Sequence, residues 1–137
     1  MHLVCPAGSL PALKAAVQQG ADAVYVGFRD DTNARHFPGL NMDAKQLDKG
    51  LQLIREKRRQ LYIAVNTYAQ PQGWSRWQRA VDQAADLGVD ALIAADPGVL
   101  GYAAKHHPQL NLHLSVQGSA TNAAALAFYQ QRYNIKR

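Results

Sequence analysis

Gln19-Gly20-Ala21-Asp22-Ala23-Val24-Tyr25-Val26 and Leu87-Gly88-Val89-Asp90-Ala91-Leu92-Ile93-Ala94 are two copies of one joint. In each, a helical stripe stops at a glycine, which takes the left-handed conformation that closes a helix. An aspartate follows two residues later, and an apolar, β-branched run then begins. A joint that recurs in one chain points to serial βα units, and so to parallel strands.

The rest of the chain fits that frame. Leu3-Val4-Cys5 reads as a first strand, turned by Pro6-Ala7-Gly8, with Ser9 capping a helix whose stripe is Leu10, Leu13 and Val17. After the strand at Ala23–Val26, Asp43 and Gln46 have the spacing of a capping box, and Leu47, Leu51 and Ile54 mark the buried face of a second helix. Leu61–Val65 is a third strand, and Trp74, Trp77, Val81 and Ala84 form the stripe of a third helix. Asp96-Pro97 opens a fourth helix after the fourth strand. Leu112–Val116 reads as a fifth strand. Thr121 or Asn122 caps a fifth helix carrying Leu126, Phe128 and Tyr129, and Asn134-Ile135 approaches a further strand. Two architectures accommodate five βα units: an open doubly wound sheet, or the first part of a TIM-type (β/α)8 barrel.

Both architectures place ligands beyond the carboxyl ends of the strands. One connection there is long. Gly27-Phe28-Arg29-Asp30-Asp31-Thr32-Asn33-Ala34-Arg35-His36-Phe37-Pro38-Gly39-Leu40-Asn41 far exceeds the usual two to six residues. It reads either as a pocket wall gripping a polar or anionic ligand or as a solvated surface loop. Arg29 and Arg35 offer guanidinium forks for a carboxylate or phosphate, or else they pair with Asp30 and Asp31. His36 is a candidate proton donor or a loop histidine bonded to backbone. Asn66 and Gln117, at other strand ends, are polar rim candidates, and Asp96 is a helix cap first.

The 137 residues carry a formal net charge of +5, one cysteine and ordinary globular hydrophobicity. A lone Cys5 excludes an internal disulfide framework. No apolar run is long enough to span a bilayer, and no secretory signal opens the sequence, so a cytoplasmic location is expected. Arg55, Lys57, Arg58 and Arg59 cluster where a helix is predicted to end, which suits the helix dipole. No aromatic residues interleave with them as a nucleic-acid groove requires, so nucleic acid is not expected as a partner. The five histidines show no metal-ligand spacing, and no glycine-rich phosphate loop is present.

Leu3–Gly8, Gly20–Gly27 and Ser115-Val116-Gln117 resemble the opening half of the peptidase U32 family. Asp30–Phe37, Gly39-Leu40-Asn41 and Arg76–Asp82 resemble, more narrowly, the branch of that family that serves ubiquinone biosynthesis. The resemblance implies a barrel-type fold, with residues 1–137 as a single partial (β/α) barrel domain at the N-terminal end of a longer chain, inactive alone. It implies anaerobic, oxygen-independent hydroxylation of a ubiquinone precursor, in a heterodimer with a UbiV-like protein. It also implies a [4Fe-4S] cluster on four cysteines from a later part of the family's chain. Cys5 does not match that motif, so no metal ligand is expected among these residues. On this reading Asn33, Arg35 and His36 bind the substrate and Asn66 and Gln117 complete the rim. Gly118 departs from the alanine expected there. A collagenase-like peptidase, or a non-catalytic doubly wound binding module, are the alternatives, although no nucleophile–base pair is evident for proteolysis.

Overall fold

In the computed structural model, which describes residues 1–137, five parallel strands alternate with five helices. The strands are β1 (Val4–Pro6), β2 (Ala23–Gly27), β3 (Gln60–Val65), β4 (Ala91–Ala94) and β5 (Leu112–Leu114). The helices are α1 (Leu10–Gln18), α2 (Ala44–Glu56), α3 (Trp74–Asp86), α4 (Pro97–His106) and α5 (Ala123–Tyr133). The helix starts read from sequence hold in detail. The side chains of Ser9, Asp43, Asp96 and Asn122 each accept a backbone N–H of the first turn, and Gln46 completes the capping box with Asp43. Each satisfies a donor that the helix itself leaves unpaired.

Strand order separates the two architectures. The sheet runs β1-β2-β3-β4-β5 in chain order, every pair parallel. A doubly wound sheet reverses its order at a switch point, and this one does not. Right-handed crossovers in constant order put every helix on the same face, which is the winding of a barrel. Lys136 extends the series: its N–H donates to Leu112 O (2.8 Å), and the Leu114 N–H donates to Arg137 O (2.7 Å). The chain thus pairs with the β5 edge where a further strand was expected.

The register gives the two sheet faces different tasks. Val24, Val26, Leu61, Ile63, Val65, Leu92 and Leu112 point toward the helices and join Leu13, Val17, Leu47, Ile54, Trp77, Val81 and Leu100 in the main core. The helix-free face carries Val4, Ala23, Tyr25, Tyr62, Ala91 and Ile93. Tyr25 stands beside Tyr62, and Ile93 beside His113, in adjacent strands.

The repeated joint has a mechanical purpose. Asp22 Oδ2 accepts the Leu3 N–H and Asp90 Oδ2 accepts the Leu61 N–H, both at 2.8 Å. Each aspartate therefore holds the start of an earlier strand. The same carboxylates take Arg59 and Arg55 at 3.3 Å, which ties the end of α2 to both joints. Donation from Leu3 is the largest influence holding the Asp22 carboxyl below its ordinary value, reinforced by the positive charge of His2, Arg59 and the N-terminus and opposed by some desolvation. Only Arg55 of the basic cluster lies in the last helical turn. Lys57 is the C-cap, and Arg58 takes a left-handed φ of 53° that turns the chain into β3.

One expectation is corrected. β5 stops at Leu114, and Val116–Gly118 form a 3-10 turn because the Ser115 side chain accepts the Gln117 N–H and bends the chain. Val116 is consequently exposed. In α5, Leu126 and Phe128 lie on the outside (53% and 54% exposed), and Tyr133 is the residue that enters the core.

Candidate functional site

The long connection after β2 is a folded unit stitched by its own polar groups. Asp30 Oδ1 accepts the Thr32 N–H (2.9 Å) and hydroxyl, an Asx-type turn. Thr32 is fully buried and Asn33 nearly so, at 4% exposure. Asn33 lies flat on Gly27, where a Cβ would overlap its Nδ2 and Cγ. Its Oδ1 accepts the Arg35 N–H (3.2 Å), and its carbonyl lies 2.8 Å from His36 Nδ1. Asn41, in the left-handed conformation (φ 69°), closes the loop. Its N–H donates to Gly8 O (2.7 Å), its amide to Arg35 O (3.0 Å), and its carbonyl accepts Arg29 (2.8 Å).

Neighbouring strands hold this unit from outside. Asn66, at the end of β3, accepts the Ala34 N–H on its Oδ1 (3.0 Å). Thr67 donates its hydroxyl to Asp31 O (2.6 Å) and accepts the Trp77 indole N–H (3.1 Å). Arg76 pairs with Asp31. The acids and arginines of the loop thus do not neutralise one another: Asp30 shapes a turn, Asp31 takes Arg76, Arg29 takes a carbonyl, and Arg35 makes no ion pair or side-chain hydrogen bond.

The result is a cavity of about 410 Å³ at the carboxyl ends of β1–β3, walled by Pro6, Tyr25, Asn33, Arg35, Asn41 and Asn66 among others. A second cavity, about 310 Å³, continues across the helix-free face past Tyr62, Ile93 and His113 to Arg137. Tyr25, Arg35, Ala64 and Asn66 line both. Neither wall contains an aspartate or glutamate, so the electrostatic balance favours an anionic or acceptor-rich ligand. Asn66 has spent its oxygen on the Ala34 N–H, which leaves its Nδ2 to donate into the cavities.

Of the residues named from sequence, the structure brings Asn33, Arg35 and Asn66 together. His36 is exposed, lines neither cavity, and is bound to backbone through Nδ1. Gln117 lines neither cavity, and its carbonyl accepts the Tyr68 hydroxyl (2.9 Å). Asp96 is occupied, capping α4 through Oδ1 and accepting the Ala69 N–H on Oδ2 (3.1 Å). Sequence reasoning passed over Tyr25, Tyr62 and His113. The signal was there: each is the polar-tipped residue of an otherwise aliphatic strand.

The cluster implied by the sequence resemblance does not fit these residues. Four thiolates are its ordinary ligands. Cys5 is the one cysteine and packs on the helix side, and no group of three or more histidines, cysteines and acids converges. For proteolysis, Ser115 is the one serine on the cavity walls, and its Oγ contacts the Gln117 N–H rather than a base. No helix is long and apolar enough to cross a membrane.

Comparison with known proteins agrees with this architecture. The profile of Peptidase family U32 matches residues 8–137. The chain is 31% identical to the tRNA hydroxylation protein P of Escherichia coli over 130 residues, covering 95% of this chain and 28% of that protein. It is 32% identical to a collagenase of Porphyromonas gingivalis, covering 95% of this chain and 31% of the relative. The solved structure of the U32 peptidase Mk0906 superposes with a TM-score of 0.77 at 14% identity, over 97% of this chain and 56% of that one. The chain therefore spans under a third of the length of these two sequence relatives.

Proposed function

The chain belongs to peptidase family U32, and we propose that it is the N-terminal, substrate-gripping part of a UbiU-like hydroxylation protein. Its substrate on this reading is a ubiquinone precursor, and its partner a UbiV-like protein. The observation that carries the proposal is the Arg35 guanidinium. It lies within the Asp30–Phe37 string that resembles the ubiquinone branch, lines both cavities, and is matched by no acid. Beside it the Asn33 and Asn66 amides sit in fixed orientations. Such a set binds and orients an anionic or phenolic group without spending reorganisation energy at the moment of reaction. The hydroxylation role is supported by the name of the Escherichia coli relative. The cluster belongs to the reading only as a group held outside these 137 residues, and no step here is assigned to it.

The test is Arg35→Ala in the complete gene product, expressed in cells grown without oxygen. Ubiquinone should fall at least about tenfold, the effect of losing one charge-assisted contact, while the protein keeps its circular dichroism spectrum. Unchanged ubiquinone would overturn the proposal. Loss of a hydroxylated tRNA nucleoside with ubiquinone intact would assign the site to RNA, the substrate in the relative's name.

A further inference from the structure

We propose that the start of α3 sets the position of Arg35, with Arg76 and Trp77 as positioning residues that hold the Asp30–Arg35 segment from behind. This rests on the role given to Arg35 above and adds what keeps it in place. Helix α3 begins with no side-chain cap and no acid in its first turn. Arg76 and Trp77 both reach out of the helix instead of bonding within it. The Trp77 indole is buried, and its N–H donates to the Thr67 hydroxyl (3.1 Å), which donates onward to the Asp31 carbonyl (2.6 Å). A hydroxyl that accepts from one fixed group and donates to another has no free rotor. The Thr67 N–H adds a bond to Thr32 O (3.3 Å). Arg76 holds the same loop by a side chain: it pairs with the Asp31 carboxylate, and its guanidinium lies 5.8 Å from the centre of the Trp77 ring.

The anchorage passes from Asp31 to Arg35 residue by residue. The Thr32 N–H donates to Asp30 Oδ1 (2.9 Å), Asn33 to Asp30 O (3.2 Å), Ala34 to Asn66 Oδ1 (3.0 Å) and Arg35 to Asn33 Oδ1 (3.2 Å). Four consecutive backbone donors have fixed partners, so the place of the Arg35 Cα follows from where Asp31 is held. Asp31 is held from α3 through both its carbonyl and its carboxylate. Energetics separate positioning from stability here. The Arg76 and Asp31 side chains are 48% and 40% exposed, and pairs in that setting add little to global stability. Losing Arg76 therefore loosens the loop locally and leaves the fold intact. Misplacing a binding group by about 1 Å costs up to about 100-fold in rate, so a local release of this size has a functional consequence.

The experiment measures amide hydrogen exchange of the complete protein by mass spectrometry, beside ubiquinone in cells grown without oxygen, for Arg76→Ala, Arg76→Lys, Trp77→Phe and Arg79→Ala. Arg79 is exposed on the same helix and makes no ion pair, so it controls for the loss of one charge. Exchange of the Thr32–Arg35 amides should quicken about two- to fivefold in Arg76→Ala, the range of an exposed ion pair. In Trp77→Phe, which loses one buried hydrogen bond, it should quicken about two- to tenfold. Ubiquinone should fall at least about twofold in both. Arg76→Lys should lie between wild type and Arg76→Ala, because an ammonium keeps the charge and loses the fork. Arg79→Ala should match wild type. Unchanged exchange in Arg76→Ala, equal quickening in Arg79→Ala, or quickened exchange with ubiquinone intact where Arg35→Ala abolishes it, would each overturn the inference. Should Trp77→Phe fail to fold, the two Arg76 variants decide alone. Exchange is read without turnover, so the result is separable from the Arg35→Ala assay. Quickened amides with ubiquinone unaffected by Arg35→Ala would uphold the hold of α3 on the loop and reject the functional reading. Unmoved amides with ubiquinone lost in Arg35→Ala would do the reverse.

Discussion

Gly27→Ala tests whether the pocket wall is as rigid as its contacts imply. The new Cβ would overlap Asn33 Nδ2 and Cγ and stand 3.0 Å from its Cβ. Rotating χ1 moves the amide but not the Asn33 Cβ, so the loop backbone must also lift. Overpacking of this kind costs about 1–3 kcal/mol. The displaced Oδ1 releases the Arg35 N–H, a further loss of about 0.5–1.5 kcal/mol. A total near 2–4 kcal/mol is expected in urea denaturation of the complete protein. The double variant Gly27→Ala/Asn33→Ala provides the control. Truncating Asn33 removes the atoms that overlap and leaves only the 3.0 Å contact, which a shift of a few tenths of an ångström relieves. The double variant should therefore be more stable than the sum of the single losses by about 0.5–3 kcal/mol, the range for residues in contact. Strict additivity, or a Gly27→Ala protein within about 0.5 kcal/mol of wild type, would refute the claim that Asn33 is wedged between Gly27 and the cavity.

The joint at Asp90 separates a hydrogen bond from an ion pair. Asp90→Ala orphans the N–H of the fully buried Leu61 and should cost about 1–3 kcal/mol; Asp90→Asn keeps an acceptor, loses only the half-exposed Arg55 pair, and should cost under about 1 kcal/mol in the same denaturation series. His113 predicts a pH dependence. Its folded pKa lies below the ordinary 6.5, so the unfolded chain binds the proton more tightly. The stability it contributes is complete above about pH 6.5 and is lost as the pH falls toward the lower folded value. Denaturation midpoints between pH 8 and pH 5 should therefore drop more steeply for wild type than for His113→Gln, and parallel curves would contradict the burial argument.

The helix caps and joints were legible because they are local. Ser9, Asp43, Asp96 and Asn122 act within three residues of where they stand, so spacing alone reveals them. The Val116 turn was misread because Ser115 diverts the backbone with a side chain, which apolar content cannot report. In α5 the sequence placed the helix, but not which of its apolar residues is covered: Leu126 and Phe128, two residues apart, are left exposed and Tyr133 enters the core. Asn33, Arg35 and Asn66 stand out in the sequence because polar residues at strand ends are conspicuous, and the fold brings them to one cavity wall. Gln117 satisfied the same criterion, and only the 3-10 turn took it off the rim.

The sequence by itself determined that five βα units follow one another, where their helices begin, and which residues alternate along each strand. Those properties depend on interactions a few residues long. Tertiary structure alone decided the strand order, and with it a barrel-like winding. It also decided which of two apolar strand faces the helices leave bare, and that Arg35 and His113 line a common cavity. Alternation with a period of two says which side chains share a face, but a strand apolar on both faces carries no mark of which one is covered. That choice is made by the handedness of the crossovers, a property of the connected chain as a whole.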